Sequence, residues 1–508
     1  MSVSAYSSAA IGRGTRHFII GKAISATVSI VVLMLLVRAL SVNEYAAYVT
    51  FIAAVELAFA LTFFGLPWLA ARYLPEFRIH SSGPRLRKLC WNLAGVHFVI
   101  VAISCLIFAV VLDVYLNGVG LAAYTSAAKI YLLLFLVEAI GRFAREGLLG
   151  ALLMQDIIQI SLVLRGLVFL LLLVIASQGH MLGLELAAWA ELIAALVATA
   201  YALVGLWRRI ALVNPQPSSG DWVEPSMRGM WPAAVKMYSS QLLTLVYSPQ
   251  MIVNMIQYFL GANSAAAFGF LRNLYDLVSR YLPATLLFNL IRPKLVASFV
   301  HAGDVSLLAR HANLAGKLSM LALMPALAFV AAGGDELITR LSGNKFADIG
   351  LLFFGLMVAL VPFSQRQLLE TIAVATGHAG VCARAAATGL VIPLLMFWML
   401  NSGMGLWAGV IGIGLGHLFF DAIVVYAMVR KTGFQADGAG FSNITLAGLI
   451  GYLLAVAVSV RSEGLLMLGL AGAGVGVGYS LAIWWLRPIT RDELARLLGT
   501  VTGKQERT

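Results

Sequence analysis

Leu40-Ser-Val-Asn-Glu-Tyr-Ala-Ala-Tyr48 returns 220 residues later as Leu260-Gly-Ala-Asn-Ser-Ala-Ala-Ala-Phe268. The register then holds without a gap. Glu56-Leu57 falls on Asp276-Leu277 and Arg72 on Arg292, while upstream Arg16 falls on Lys236. In so apolar a chain, alanine and leucine matches carry little weight; the matched asparagine, acid and base positions carry more. Six predicted membrane spans separate the copies, so both copies run in the same direction. That is the signature of two parallel lobes related by an axis along the membrane normal, with a substrate site expected at their interface.

The composition agrees. The chain has 508 residues, of which 61% are hydrophobic and 11% charged, with mean hydropathy +0.90. A soluble protein carries roughly 25% charged residues. Apolar runs of about 20 residues, each long enough to cross hydrocarbon, recur from end to end. The expected fold is all-α and polytopic, with about 14 transmembrane helices: two parallel six-helix lobes around a central cavity, plus two C-terminal helices. Residues 12–207 form the first lobe, 208–228 a cytoplasmic linker with Pro215, Pro217 and Pro225, and 229–430 the second lobe. Residues 441–487 hold helices 13 and 14, and 488–508 a cytoplasmic tail.

Charge placement tests that ladder. With the N-terminus inside, 25 lysines and arginines fall on the inner side, and only Arg340, Lys345 and Arg461 on the outer. The net charge of +12 is therefore mostly topology, reinforced by attraction to an anionic inner leaflet, and does not point to nucleic acid. The first apolar run lacks an obvious cleavage site and reads as a membrane helix. Both termini are expected in the cytoplasm. Cys90, Cys105 and Cys382 suggest neither a disulfide framework nor a metal cluster. No Walker lysine motif is present, and Gly412-Ile-Gly-Leu-Gly416 reads as close helix packing. No cofactor is expected. The outer loops are short, which argues against a membrane polymerase or ligase.

Charges inside the spans carry the functional reading, because an ionised group in a bilayer core is costly and normally marks a pathway. Within Phe268–Leu290, Arg272, Asp276 and Arg280 are spaced four apart and stack on one helix face over about 12 Å. They form either a self-neutralising ladder or a cationic wall that leaves positive potential after Asp276 takes a partner. Arginine suits phosphate because its planar fork donates two hydrogen bonds at once. Glu56, the repeat-mate of Asp276, reads either as a salt-bridge partner or as a coupling group. Arg38 and Lys236 sit near helix ends, where snorkelling competes with a cavity role. Arg165 is expected to pair with Glu138 or Glu191, Arg366 with Glu370, and Asp421 lies one turn from His417. His97 reads as a satisfied interior histidine.

The string Leu36-Val-Arg38-Ala-Leu40-Ser-Val-Asn43-Glu44-Tyr45-Ala-Ala-Tyr48, with Gly65-Leu-Pro67 and Arg72-Tyr73-Leu74-Pro75-Glu76, resembles the Wzx-type polysaccharide flippases. Those belong to the superfamily (MOP exporters) that includes lipid II flippases and multidrug MATE antiporters. The likeness extends over roughly residues 12–430. It implies a non-enzymatic flippase of a bacterial inner membrane. Its cargo would be an undecaprenyl-diphosphate-linked oligosaccharide repeat unit, moved by alternating access for surface polysaccharides such as lipopolysaccharide or exopolysaccharide. A polysaccharide polymerase and a chain-length regulator would be its partners beside membrane lipids. Arg272, Arg280, Lys236 and Arg38 would then hold diphosphate or acidic sugar, and Glu56 and Asp276 would tune those bases or couple transport to an ion. The rival readings are a MATE-like cation antiporter, a lipid II flippase, and a membrane polymerase or ligase.

Overall fold

Helices alone build the described part of the chain. The computed structural model describes residues 8–179, 182–211, 225, 227–283, 285, 305–490 and 493, with no strand among them. Eleven of these helices are long and apolar enough to cross a membrane. The other expected spans are α5, α8 and α9 below, whose runs are broken by polar or charged residues such as Lys129, Glu138 and Arg142 in α5. By contact clustering the chain divides into residues 1–269 and 270–508.

The first unit runs α1 (Ser8–Ala39), α2 (Val42–Thr62), α3 (Leu66–His80), α4 (Gly83–Gly118), α5 (Thr125–Arg142), α6 (Gln155–Gln178), α7 (Leu184–Ala211) and α8 (Met227–Leu245). It also takes in the first part of α9 (Pro249–Tyr281). α1 lies along α6, and α5 packs on α4 and α7. Their outer faces stay greasy: Leu106, Val110 and Val114 of α4 are largely exposed, as a lipid-facing helix requires.

Local chemistry sets the boundaries. Ser41 caps α2 with its hydroxyl accepting from the Glu44 N–H, while the Glu44 carboxylate accepts from the Ser41 N–H (3.0 Å), which makes a capping box. At the repeat-equivalent position, Gly261 takes φ 78° and breaks α9, so the helix restarts in the same register. Glycine tolerates that backbone without cost. Gly65, at φ 74°, turns the chain between α2 and α3, and Pro67 follows at the start of α3. α3 is short and carries Arg72, Glu76 and Arg78; it lies against α4 and the turn after α5.

The second unit takes the rest of α9 and then α10 (Val305–Ser342), α11 (Gly350–Ala375), α12 (Ala379–Thr388), α13 (Val391–Asn401), α14 (Trp407–Thr432), α15 (Gly438–Ser459) and α16 (Gly464–Leu486). α11 packs between α10 and α14. α15 and α16 form a tight pair through glycines. A side chain at Gly474 would fall 2.7 Å from the Ala455 Cα, and one at Gly478 3.1 Å from the Gly451 Cα. α15 also lies on α10. Trp484 and Trp485 stand exposed at the end of α16, where an aromatic belt meets headgroups.

Candidate functional site

The densest buried charge lies in the first unit, on α2, α5, α6 and α7. Glu138 and Arg142 are four apart on α5 and share a face. The chain then widens into a π-helical stretch, Phe143–Leu149, a geometry frequent at functional sites. That stretch keeps Arg145 on the same side. Arg145 Nη2 donates to Glu138 Oε1 at 2.7 Å, and Arg142 Nε reaches the same oxygen at 3.4 Å. Arg142 also grips Glu56 of α2 with both Nη atoms, at 2.6 and 3.2 Å. Its guanidinium lies 4.3 Å from the Phe59 ring centre. From α6, Arg165 meets Glu138 Oε2 at 3.5 Å and Glu191 of α7 at 3.1 Å.

The sum is neutral: Arg142, Arg145 and Arg165 against Glu56, Glu138 and Glu191. The exposure is not uniform. The side chains of Arg145 and Glu138 are 2% and 4% exposed, whereas Arg142, Arg165 and Glu56 are 25%, 28% and 23% exposed. Two arginines therefore present themselves at an accessible face, held from behind by buried carboxylates. Arg145 Nη1 and Arg165 Nε are buried and make no hydrogen bond, and Arg165 Nε is held only by the 3.5 Å ion-pair contact to Glu138. The exposed edges of Arg142 and Arg165 are fixed in place by their carboxylate partners, the kind of preset guanidinium geometry that suits an oxyanion.

The expected residues are placed as follows. Glu56 lies in this cluster, bonded to Arg142. In the second unit, Arg272 is buried and paired with Asp276 at 3.0 Å, with its Nε unbonded. Arg280, one turn on, is exposed at the end of α9. Arg38 is exposed in the last turn of α1, where a cation suits the helix dipole. Lys236 lies on α8, and its side chain is outside the described residues. Arg165 takes both of its expected partners. Arg366 pairs with Glu370 at 3.1 Å and lies 4.0 Å over the Phe420 ring. His97 is buried between Phe63 and Phe143; its Nε2 is bonded to the Ala139 carbonyl at 3.2 Å but its Nδ1 has no partner, so the histidine expected to be satisfied is only half so.

Arg142 and Arg145 end an apolar run, so hydropathy alone counts them among the inner-side charges and not among the site residues. The available signal was the four-residue step from Glu138 to Arg142, on the same helix as an already suspicious carboxylate.

A family described as "Polysaccharide biosynthesis protein" matches residues 11–287, more than half of the chain. Among solved structures the chain is similar to lipid II flippase MurJ in an inward closed conformation, with TM-score 0.65 and 11% identity, covering 92% of this chain and 99% of that one. It is also similar to an inward-facing multidrug resistance MATE family transporter of the MOP superfamily (TM-score 0.58, 15% identity, 82% and 98% covered). A third likeness is to the Vibrio cholerae MATE transporter VcmN (TM-score 0.56, 16% identity, 83% and 97% covered). At these identities the likeness is one of fold. No curated protein matches the chain in sequence.

Proposed function

This chain belongs to the polysaccharide biosynthesis protein family, and on that footing we propose that it is a flippase for a lipid-linked oligosaccharide. The cargo is an undecaprenyl-diphosphate-linked repeat unit, moved across the bacterial inner membrane by alternating access for a surface polysaccharide. The observation that carries the reading is the pair Arg142 and Arg165, a quarter exposed over buried glutamates. A diphosphate or an acidic sugar meets their exposed guanidinium edges, and the neutral backing keeps both arginines in place when no cargo is bound. Arg38, Lys236, Arg272 and Arg280 add positive potential along the path, while Glu56 and Asp276 hold the bases in register or carry coupling charge. The family's polymerase and chain-length regulator take the cargo onward.

The test is export in a strain carrying single variants. Arg142→Ala, Arg165→Ala, Arg272→Ala and Arg280→Ala are expected to stop surface polysaccharide export while the protein stays in the membrane. One lost charge-assisted hydrogen bond is worth about 1.5–3 kcal/mol, so cargo affinity falls about tenfold or more. Wild-type export by the Arg142 and Arg165 variants would remove the reading. The likeness to MurJ and to MATE transporters supports two rivals. Changed drug susceptibility in a deletion strain favours a cation antiporter, and arrested cell-wall synthesis favours a lipid II flippase.

A further inference from the structure

Asp421 has nothing to bond. It lies on α14, is 8% exposed, and neither carboxylate oxygen has a hydrogen-bond partner. The side chain lines a cavity of about 710 Å³ inside the second unit, bounded by α10, α11, α14 and α15. The cavity wall is mostly apolar. Its other polar members are Asn313 of α10, Gln365 of α11, and Ser442 and Thr445 of α15.

The ionisable groups around Asp421 are already engaged or turned away. On α11, Arg366 is bonded to Glu370 and stacked on Phe420. On α10, Lys317 is bonded to Asp437 and Glu493. On α14 itself, His417 meets the Tyr275 hydroxyl of α9 at 3.4 Å. Arg384 of α12 is exposed, α13 contains no ionisable residue, and α15 contains none but Tyr452. A bare carboxylate in an apolar wall is strongly disfavoured, so its charge must be neutralised on the spot. A divalent ion is a poor fit, since calcium collects six to eight oxygens, several of them from carboxylates. One carboxylate with a few amide and hydroxyl oxygens fits a single positive charge.

We propose that Asp421, with the polar groups sharing its cavity, binds one small monovalent cation, a proton or sodium. In the flippase reading, on which this consequence alone rests, that ion is the one coupled to transport. Binding changes the charge of α14 where it faces α10, α11 and α15, which gives the second unit two electrostatic states.

Purified wild type and Asp421→Asn are compared by thermal unfolding in detergent. One arm titrates sodium against choline at constant ionic strength and pH. The other raises pH from 5 to 9 without sodium. Wild type is expected either to gain stability with sodium or to lose it as rising pH strips the proton, and Asp421→Asn is expected to lose that response. Equal responses in the two proteins, or no response in wild type, overturn the site. Should Asp421→Asn fail to purify, wild type is treated with a hydrophobic carbodiimide at neutral pH and the peptide containing Asp421 is examined by mass spectrometry. Modification that sodium or raised pH suppresses supports the site; an unmodified Asp421 overturns it. Both readouts use protein without cargo, so their failure leaves the flippase reading to be decided by export in the Arg142 and Arg165 variants.

Discussion

Glu138 is the residue on which the charged cluster of the first unit turns. Its carboxylate serves Arg142, Arg145 and Arg165 together, whereas Glu191 pairs with Arg165. Removing one partner of a buried pair leaves an uncompensated charge and costs about 3–5 kcal/mol. Glu138→Ala is therefore expected to lose that much stability in denaturant unfolding of the purified protein. Glu191→Ala is expected to lose clearly less, because Arg165 keeps Glu138. Equal losses would refute the shared-acceptor account. Some of this cluster was legible beforehand. Glu56 and Arg165 stand in the middle of apolar runs, so the cost of an intramembrane charge exposes them at once. Arg142 and Arg145 sit where a run ends, and hydropathy alone assigns such charges to a loop. The last turn of α5 holds Arg142 and the π-helical stretch holds Arg145, and no residue pattern announces a π turn as reliably as a cap or a proline announces a helix end.

At the scale of the helix, the spans read more easily than the breaks between them. The spacing predicts one helix over 229–258; the chain instead closes α8 at Leu245 and opens α9 at Pro249. Pro249 opens α9, because proline is better placed at a first turn than inside a helix. The α3 segment reads from sequence as a connection between spans, because its mixture of Arg72, Glu76 and Arg78 with apolar residues is too short and too polar to cross a membrane. The register of the repeat, by contrast, survives into contact. Val49 of α2 and its repeat-mate Gly269 of α9 lie against each other, and a side chain at Gly269 would fall 2.5 Å from Val49 Cγ2. Valine is branched at Cβ and cannot swing clear. Gly269→Ala is expected to cost about 1–3 kcal/mol by overpacking, read as a lower melting temperature. Adding Val49→Ala is expected to restore much of the loss. A double variant no more stable than Gly269→Ala would mean that the two residues do not limit each other.

At the scale of the molecule, composition and the 220-residue repeat reveal a polytopic helical transporter, but not how the last two helices are fastened. α15 and α16 have no counterpart in the repeat and pair closely with each other. Their link to α10 includes Lys317, which is 1% exposed by side chain. Its ammonium donates to Asp437 Oδ2 just before α15 at 2.7 Å, to Glu493 beyond α16 at 2.6 and 2.8 Å, and to the Pro488 carbonyl at 3.2 Å. A lysine near a helix end ordinarily snorkels to water, so sequence alone places it among the inner-side charges. Burial by itself would raise the carboxyls of Asp437 and Glu493. The hydrogen bonds from Lys317, with the Gly440 N–H on Asp437 and the Thr490 N–H on Glu493, outweigh it and hold both below their ordinary values. A depressed carboxyl stabilises the fold above its ordinary titration range, near pH 4, and loses that contribution as pH falls through the lowered value. Lys317→Met removes the cation that lowers both. The stability gap between wild type and Lys317→Met is therefore expected to be widest at neutral pH and to narrow steadily below about pH 4, followed by thermal unfolding in detergent. A gap that stays constant from pH 7 to pH 3 would show that Lys317 contributes packing alone, and that Asp437 and Glu493 are not what ties α15 and α16 to α10.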